Sequence, residues 1–158
     1  MKKTGLILVF VTLISGMSMA QNYDHAIGIR GGLFNGLTYK NALSSNAYFE
    51  GIFSTRWDGF MVTGLYEVAN PIDANAPGLN WYYGFGAHIG FFDADNDGPW
   101  DDGDFDGPII GADGILGIEY TFSEVPINLS LDWKPAINLF GYDGFWADNA
   151  AFAIRYTF

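Results

Sequence analysis

Long stretches of the chain alternate between bulky apolar residues and small or polar ones. The alternation is clearest in residues 81–91, 125–139 and 151–158. In the last of these, Phe152, Ile154, Tyr156 and Phe158 lie on one face, and Ala151, Ala153, Arg155 and Thr157 on the other. A period of two is the repeat of a strand, whereas a helix repeats every 3.6 residues. The pattern therefore predicts an all-β protein whose strands have two unlike faces.

Applied along the whole chain, the alternation predicts eight strands. They lie at residues 25–33, 36–43, 47–57, 60–69, 80–91, 109–122, 126–139 and 149–158. Turn-forming pairs such as Asn70-Pro71 and Pro77-Gly78 separate them. Most strands are near the 9–11 residues with which a tilted strand crosses a bilayer. We find no second domain and no interdomain linker in the pattern.

Residues 1–20 have the features of a secretory signal peptide. Lys2 and Lys3 precede an apolar stretch at residues 6–14, and Ser18 and Ala20 are small residues at the expected cleavage site. A membrane anchor is the alternative, but a spanning helix needs about 20 apolar residues. We expect cleavage before Gln21, which leaves residues 21–158 as one exported domain.

Composition excludes several classes of protein. The net charge of −11 argues against nucleic-acid binding, which needs basic patches. The lack of cysteine excludes disulfide scaffolds, thiolate zinc sites and cysteine nucleophiles. An aromatic content of 18% together with 21 glycines favours β structure over disorder.

Side-chain size indicates which face of the sheet points inward. The interior of an eight-stranded barrel holds only modest side chains, so the many bulky residues must face outward, toward lipid. The small and polar face also carries charges of both signs, which a lumen tolerates when they are paired. This predicts an eight-stranded antiparallel up-and-down transmembrane β-barrel. Its predicted lumen charge network is Arg30, Lys40, Glu50, Arg56, Glu67, His88, Asp113, Glu119, Asp132, Lys134 and Arg155.

Aromatic residues at strand ends match the girdle of a membrane barrel. At the rim near the chain termini these are Trp81, Tyr83, Tyr120, Phe122, Tyr156 and Phe158, and Trp57 is expected near the other rim.

The ending Ala153-Ile-Arg-Tyr-Thr-Phe158 resembles the C-terminal signal of Gram-negative outer-membrane β-barrels, and residues 117–135 resemble small outer-membrane barrels of undefined function. The resemblance implies an outer-membrane location, contact with lipid and lipopolysaccharide, and reading of Tyr156 and Phe158 by the barrel assembly machinery. We interpret the chain as a monomer with a structural or surface-interaction role rather than a catalytic one.

Residues 92–108 break the alternation and are rich in aspartate. Asp93-x-Asp95-x-Asp97-Gly98 matches the first half of an EF-hand calcium loop, with Asp101 and Asp104 at its ninth and twelfth positions. Asp104 replaces the usual glutamate, and Pro99 stands at the carbonyl-ligand position. Two interpretations stay open: a Ca²⁺ site on the cell surface, with no cofactor otherwise required, and a solvated acidic loop.

Three other functions compete with this interpretation. In a lipid A-modifying barrel enzyme, His88 could pair with Ser130 as base and nucleophile, but a lumen histidine bonded to a carboxylate is the simpler expectation. A narrow pore is the second alternative, with Gly84, Gly86, Gly90 and Gly117 leaving room in the lumen. The third is a soluble ligand-binding barrel with the opposite faces inside. We predict no catalytic or cofactor-binding residues.

Overall fold

A computed structural model of the protein describes residues 23–56, 59–72, 75–92, 107–141 and 144–158. All regular structure in these ranges is β. The strands are β1 (His25–Gly32), β2 (Asn35–Ala42), β3 (Ala47–Arg56), β4 (Gly59–Pro71), β5 (Leu79–Phe92), β6 (Gly107–Thr121), β7 (Ile127–Trp133), β8 (Ala136–Phe140), β9 (Phe145–Trp146) and β10 (Ala150–Thr157). Within the same ranges, no helix is long and apolar enough to cross a membrane.

The strands close into an antiparallel barrel. From β1 to β6, each strand pairs with the next one along the chain. β1 also pairs with β10 in the register Ala26↔Thr157. β7 and β8 follow one another along β6, and β9 and β10 form the last strand, so the ten segments make eight barrel strands. The predicted fold class, an eight-stranded antiparallel β-barrel, is confirmed.

The two ends of the described chain meet at the seam of the barrel. The His25 amide donates to the Phe158 carbonyl at 2.9 Å, and the Phe158 amide donates to the His25 carbonyl at 2.8 Å. We call this the terminal end of the barrel. The opposite end, where β5 pairs with β6 at Phe92↔Gly107, is the loop end, and residues 93–106 connect the two strands there.

The strand boundaries differ from the predicted ones mainly in the last two barrel strands. The predicted strand 126–139 is interrupted between Trp133 and Ala136, where Pro135 lacks an amide hydrogen to donate to the ladder. The Pro135 carbonyl still accepts from the Gly114 amide at 2.9 Å, so the barrel wall stays continuous. β9 lies ahead of the predicted start at residue 149 and pairs with β8.

Bulky apolar side chains cover the outside of the barrel. Phe85 is 67% exposed, Ile29 62% and Leu37 57%, whereas Lys40 and Glu50 are fully buried. The orientation predicted from side-chain size is therefore the one observed.

The interior is less uniformly polar than the sequence pattern predicted, because two apolar clusters lie inside it. One is Tyr23, Ala26, Tyr48, Ile52, Leu65, Ala69, Tyr82 and Ile115. The other, at the loop end, is Phe34, Met61, Phe92 and Ile109, with Leu33 and Trp146 packed against it. Glycines opposite the larger interior rings make space for them, as Gly117 does for its strand partner Tyr82.

This space predicts an asymmetry between inner and outer glycines. A Cβ at Gly117 would lie 2.6 Å from Tyr82 Cζ and 2.7 Å from Asp132 Cβ, whereas one at Gly51, on the outer face, would meet only the Phe49 ring at 3.8 Å. We expect Gly117→Ala to lower the free energy of unfolding by about 1–3 kcal/mol. Gly51→Ala should change it little or raise it slightly. Urea unfolding in detergent micelles measures both, and equal losses would contradict the assignment of faces.

Candidate functional site

The charged residues of the barrel lie in its lumen. Every charged residue of the predicted network whose side chain the structure describes is at most 4% exposed, and His88 is 3% exposed. Arg56 belongs to β3, but its side chain lies outside the described residues. The others form four groups, each joined by ion pairs or hydrogen bonds.

The first group surrounds Lys40 on β2. Its ammonium nitrogen lies 2.9 Å from a carboxylate oxygen of Glu67 and 2.9 Å from one of Glu119. The same nitrogen lies 4.4 Å from the ring centre of Tyr82 and 4.9 Å from that of Tyr48, within cation–π range. Two carboxylates and two aromatic faces therefore compensate for the lost hydration of this cation.

Tyr23 covers this group from the terminal end. Its hydroxyl donates to Glu119 at 3.3 Å, and its ring packs 5.4 Å from that of Tyr48. Burial raises the pKa of the Tyr23 hydroxyl, so the group remains protonated and able to donate. The strand pattern gave no signal for this residue, because Tyr23 precedes β1.

The second group is built on Arg155 of β10. Its guanidinium lies 2.5 Å from Glu50 Oε1 and donates to Ser130 Oγ at 2.8 Å and Asn128 Oδ1 at 3.1 Å. Its Nε donates to Thr38 Oγ1 at 3.3 Å, and the Thr38 hydroxyl donates to Glu50. The group thus connects strands on opposite sides of the lumen.

The third group joins Arg30 to Asp132. The contact is bidentate: Arg30 Nη1 donates to Asp132 Oδ2 at 2.7 Å, and Nη2 contacts Oδ1. The Tyr82 hydroxyl also donates to Asp132, at 2.9 Å. Paired donors in a fork of this kind are the strong form of the arginine–carboxylate contact.

The fourth group contains His88. Its Nδ1 lies 2.7 Å from Asp113 Oδ2 and its Nε2 lies 3.1 Å from Asn138 Oδ1, while Lys134 pairs with the other Asp113 oxygen. His88 is therefore hydrogen-bonded to a carboxylate, which was the simpler expectation for this residue than a catalytic base. Ser130 bonds to Arg155 instead, so the structure does not bring the hypothetical base and nucleophile together.

Comparison with known proteins adds no relative to this description of the barrel. Neither a family model, nor a curated protein, nor a solved structure matches the chain.

The proposed calcium ligands Asp93, Asp95, Asp97, Asp101 and Asp104 lie outside the described residues, and the Ca²⁺ interpretation stays a prediction. In the described ranges no group of three or more acidic or histidine side chains is arranged to hold a metal ion. Tyr156 lies in β10 and its ring stacks on that of Phe158 at 6.1 Å, so the two residues of the predicted assembly signal form one patch.

The lumen is filled by buried charges, most of which pair with one another, rather than by an open site. Each of the cations Lys40, Arg30 and Arg155 pairs with a carboxylate on a strand that is not its neighbour in the sheet. Such networks stabilise a barrel by holding its strands together, because removing one partner leaves an uncompensated buried charge. The arrangement supports a structural role for these residues.

Proposed function

We propose that the protein is a monomeric integral barrel of the outer membrane, with a closed lumen and a structural or surface-interaction role. The observation that carries the proposal is the inversion of its surfaces. Bulky apolar groups such as Phe85 and Ile29 are exposed, whereas Lys40, Glu67 and Arg155 are buried. A soluble protein places its charges in water, and a barrel in lipid must show an apolar outer band.

Backbone pairing supports insertion into lipid. The bilayer core offers no hydrogen-bond partners, so a sheet that crosses it must have no open edge. Here β1 is paired on both sides, by β2 and β10, and β5 and β6 complete the ring.

Aromatic residues at the terminal end supply the second support. Trp81 stacks on Tyr83 at 5.4 Å, and Tyr120 meets Phe122 edge-on at 4.7 Å. Trp81 and Tyr83 lie on β5 and Tyr120 on β6, with Phe122 just beyond the end of β6, near the connections of the terminal end. Amphipathic rings in such a band are typical of the membrane–water interface.

A closed lumen is favoured over the narrow pore. Tyr23 and Tyr48 fill the terminal end, and Phe34 and Phe92 belong to the apolar cluster at the loop end. Between them lie the ion pairs and hydrogen bonds of the lumen. Eight-stranded barrels are normally filled by side chains in this way. An enzyme acting on lipid is the less favoured alternative, since His88 bonds to Asp113 and Ser130 to Arg155 rather than to each other.

The outer-membrane location rests on the signal-peptide features of residues 1–20 and on the C-terminal sequence ending in Phe158. Lipid and lipopolysaccharide would contact the outer face, and the barrel assembly machinery would act during biogenesis. Gram-negative outer-membrane barrels commonly expose their longer loops to the exterior. The residues between β5 and β6 would then lie on the cell surface.

Gel migration of the detergent-folded protein tests the proposal. We expect the unheated sample to migrate faster than the boiled one, because a closed barrel resists dodecyl sulfate at room temperature. We also expect the folded protein to partition into lipid vesicles and to give no steady conductance in planar bilayers. A protein that stays folded and soluble without detergent would overturn membrane insertion, and steady single-channel currents would overturn the closed lumen.

A further inference from the structure

The lumen contains a cluster whose charges do not balance. Glu50, Glu67 and Glu119 are three carboxylates, and the cations in contact with them are Lys40 and Arg155. We call these five residues the carboxylate cluster. All are at most 2% exposed. With every member ionised, the cluster would hold one uncompensated negative charge away from water, which is strongly unfavourable.

The other described cations of the lumen are committed elsewhere. Arg30 is bound in a fork to Asp132, and Lys134 is paired with Asp113. Arg56 lies on β3 six residues beyond Glu50, about 20 Å along the strand at the usual rise. The other titratable groups that face the cluster are Arg30 of β1, Tyr48 of β3, Tyr82 of β5 and Tyr23 ahead of β1.

Unpartnered oxygen atoms show where the missing positive charge belongs. Glu50 Oε2 and both oxygens of Glu67 are buried without a hydrogen-bond donor, although Lys40 Nζ lies 2.9 Å from Glu67 Oε2. The register of β3 and β4, with Glu50 opposite Leu65 and Tyr48 opposite Glu67, places these two side chains diagonally on one wall. Diagonal neighbours of this kind lie about 7–8 Å apart, within reach of two long side chains that face the same interior.

Two ionised carboxylates have no hydrogen to donate, so their approach requires a proton between them. A proton on Glu67 directed at Glu50 would give Glu50 Oε2 its missing donor and would balance the cluster. Glu50 is the partner that stays ionised, because Arg155 and Thr38 both contact its Oε1.

We propose that the carboxylate cluster is a proton-binding site in which Glu50 and Glu67 share one proton, with Glu67 as its carrier. The unfolded chain would hold both glutamates ionised above about pH 5. The folded barrel therefore binds one proton more than the unfolded chain, and its stability falls as the pH rises above that value.

The variant Glu67→Gln tests the site, because its amide can donate to Glu50 and accept from Lys40 without a proton. We expect the wild type at neutral pH to show the infrared carbonyl stretch of a protonated carboxyl group, and Glu67→Gln to lack it. Relative to Glu67→Gln, the unfolding equilibrium constant of the wild type should rise by up to tenfold per pH unit above about pH 5.

Two further variants keep the test decisive. Glu124→Gln removes an exposed carboxyl group in the turn after β6 and should change neither the infrared band nor the pH slope. Glu50→Gln leaves two carboxylates facing two cations, so the cluster is balanced without a proton. This variant should therefore also lack the band, even though Arg155 loses its carboxylate. Absence of the band in the wild type, or its persistence in Glu67→Gln, overturns the proposal. Wild-type stability that depends on Na⁺, with choline chloride as the control salt, would assign the missing charge to a bound cation and overturn it equally.

Discussion

Replacing Arg155 by alanine is expected to lower the free energy of unfolding by about 3–5 kcal/mol, the range typical of breaking one side of a buried ion pair. The change leaves Glu50 without its cation and removes the donors to Ser130 and Asn128. All of these partners are at most 2% exposed, so water cannot replace the lost contacts. Urea unfolding of the micelle-bound barrel, followed by tryptophan fluorescence, measures the loss.

Two variants show whether charge or side-chain size causes that loss. Ile154→Ala truncates the preceding residue of β10, which faces outward and is 42% exposed, and should lower stability much less. Combining Arg155→Met with Glu50→Gln removes both charges and should recover part of the stability lost in Arg155→Ala. A loss in Arg155→Ala no larger than that in Ile154→Ala would contradict the role of Arg155 in the lumen.

Deleting Phe158 is expected to reduce the amount of barrel in the outer membrane severalfold while leaving refolding in detergent largely intact. The ring is 49% exposed and contacts His25 and Tyr156 on the outer surface, so it adds little to the interior packing. The deletion also removes the two backbone bonds to His25, but the pairing of β1 with β10 from Ala26 to Gly32 remains. Its expected importance comes from recognition during assembly. Quantifying the heat-modifiable band in isolated outer membranes measures the effect.

Phe122→Ala is the matched control for this deletion, because Phe122 is also an exposed aromatic residue at the terminal end. It should leave the outer-membrane yield close to that of the wild type. Normal yield of the Phe158 deletion would contradict the assembly signal, and failure of that variant to refold in detergent would show that Phe158 is needed for the barrel itself.

The alternating pattern predicted the strands and their faces because both are local properties. Residues such as Phe85 and His88 lie three positions apart on β5, and the parity of that spacing alone assigns them to opposite faces. The same parity placed Glu50, Glu67 and Arg155 in the lumen. The eight-strand count followed from the spacing of the turns.

Partner choice inside the lumen could not be predicted in the same way. Arg155 meets Glu50 across 105 positions of sequence, and this contact depends on how the whole sheet is staggered when it closes. The break at Pro135 could be anticipated from its missing amide hydrogen, but the run of alternating residues around it hid the interruption. Tyr23 had no periodic neighbours from which its burial could be inferred.

The reciprocal hydrogen bonds between His25 and Phe158 mean that the described chain could be joined end to end and reopened elsewhere. Circular permutation, with a short linker across this seam and new ends in the two-residue turn between β1 and β2, would keep every strand pairing of the barrel. Such a permutant would retain the lumen but lose the free aromatic terminus. It would therefore show whether folding of the barrel and its delivery to the outer membrane depend on different parts of the chain.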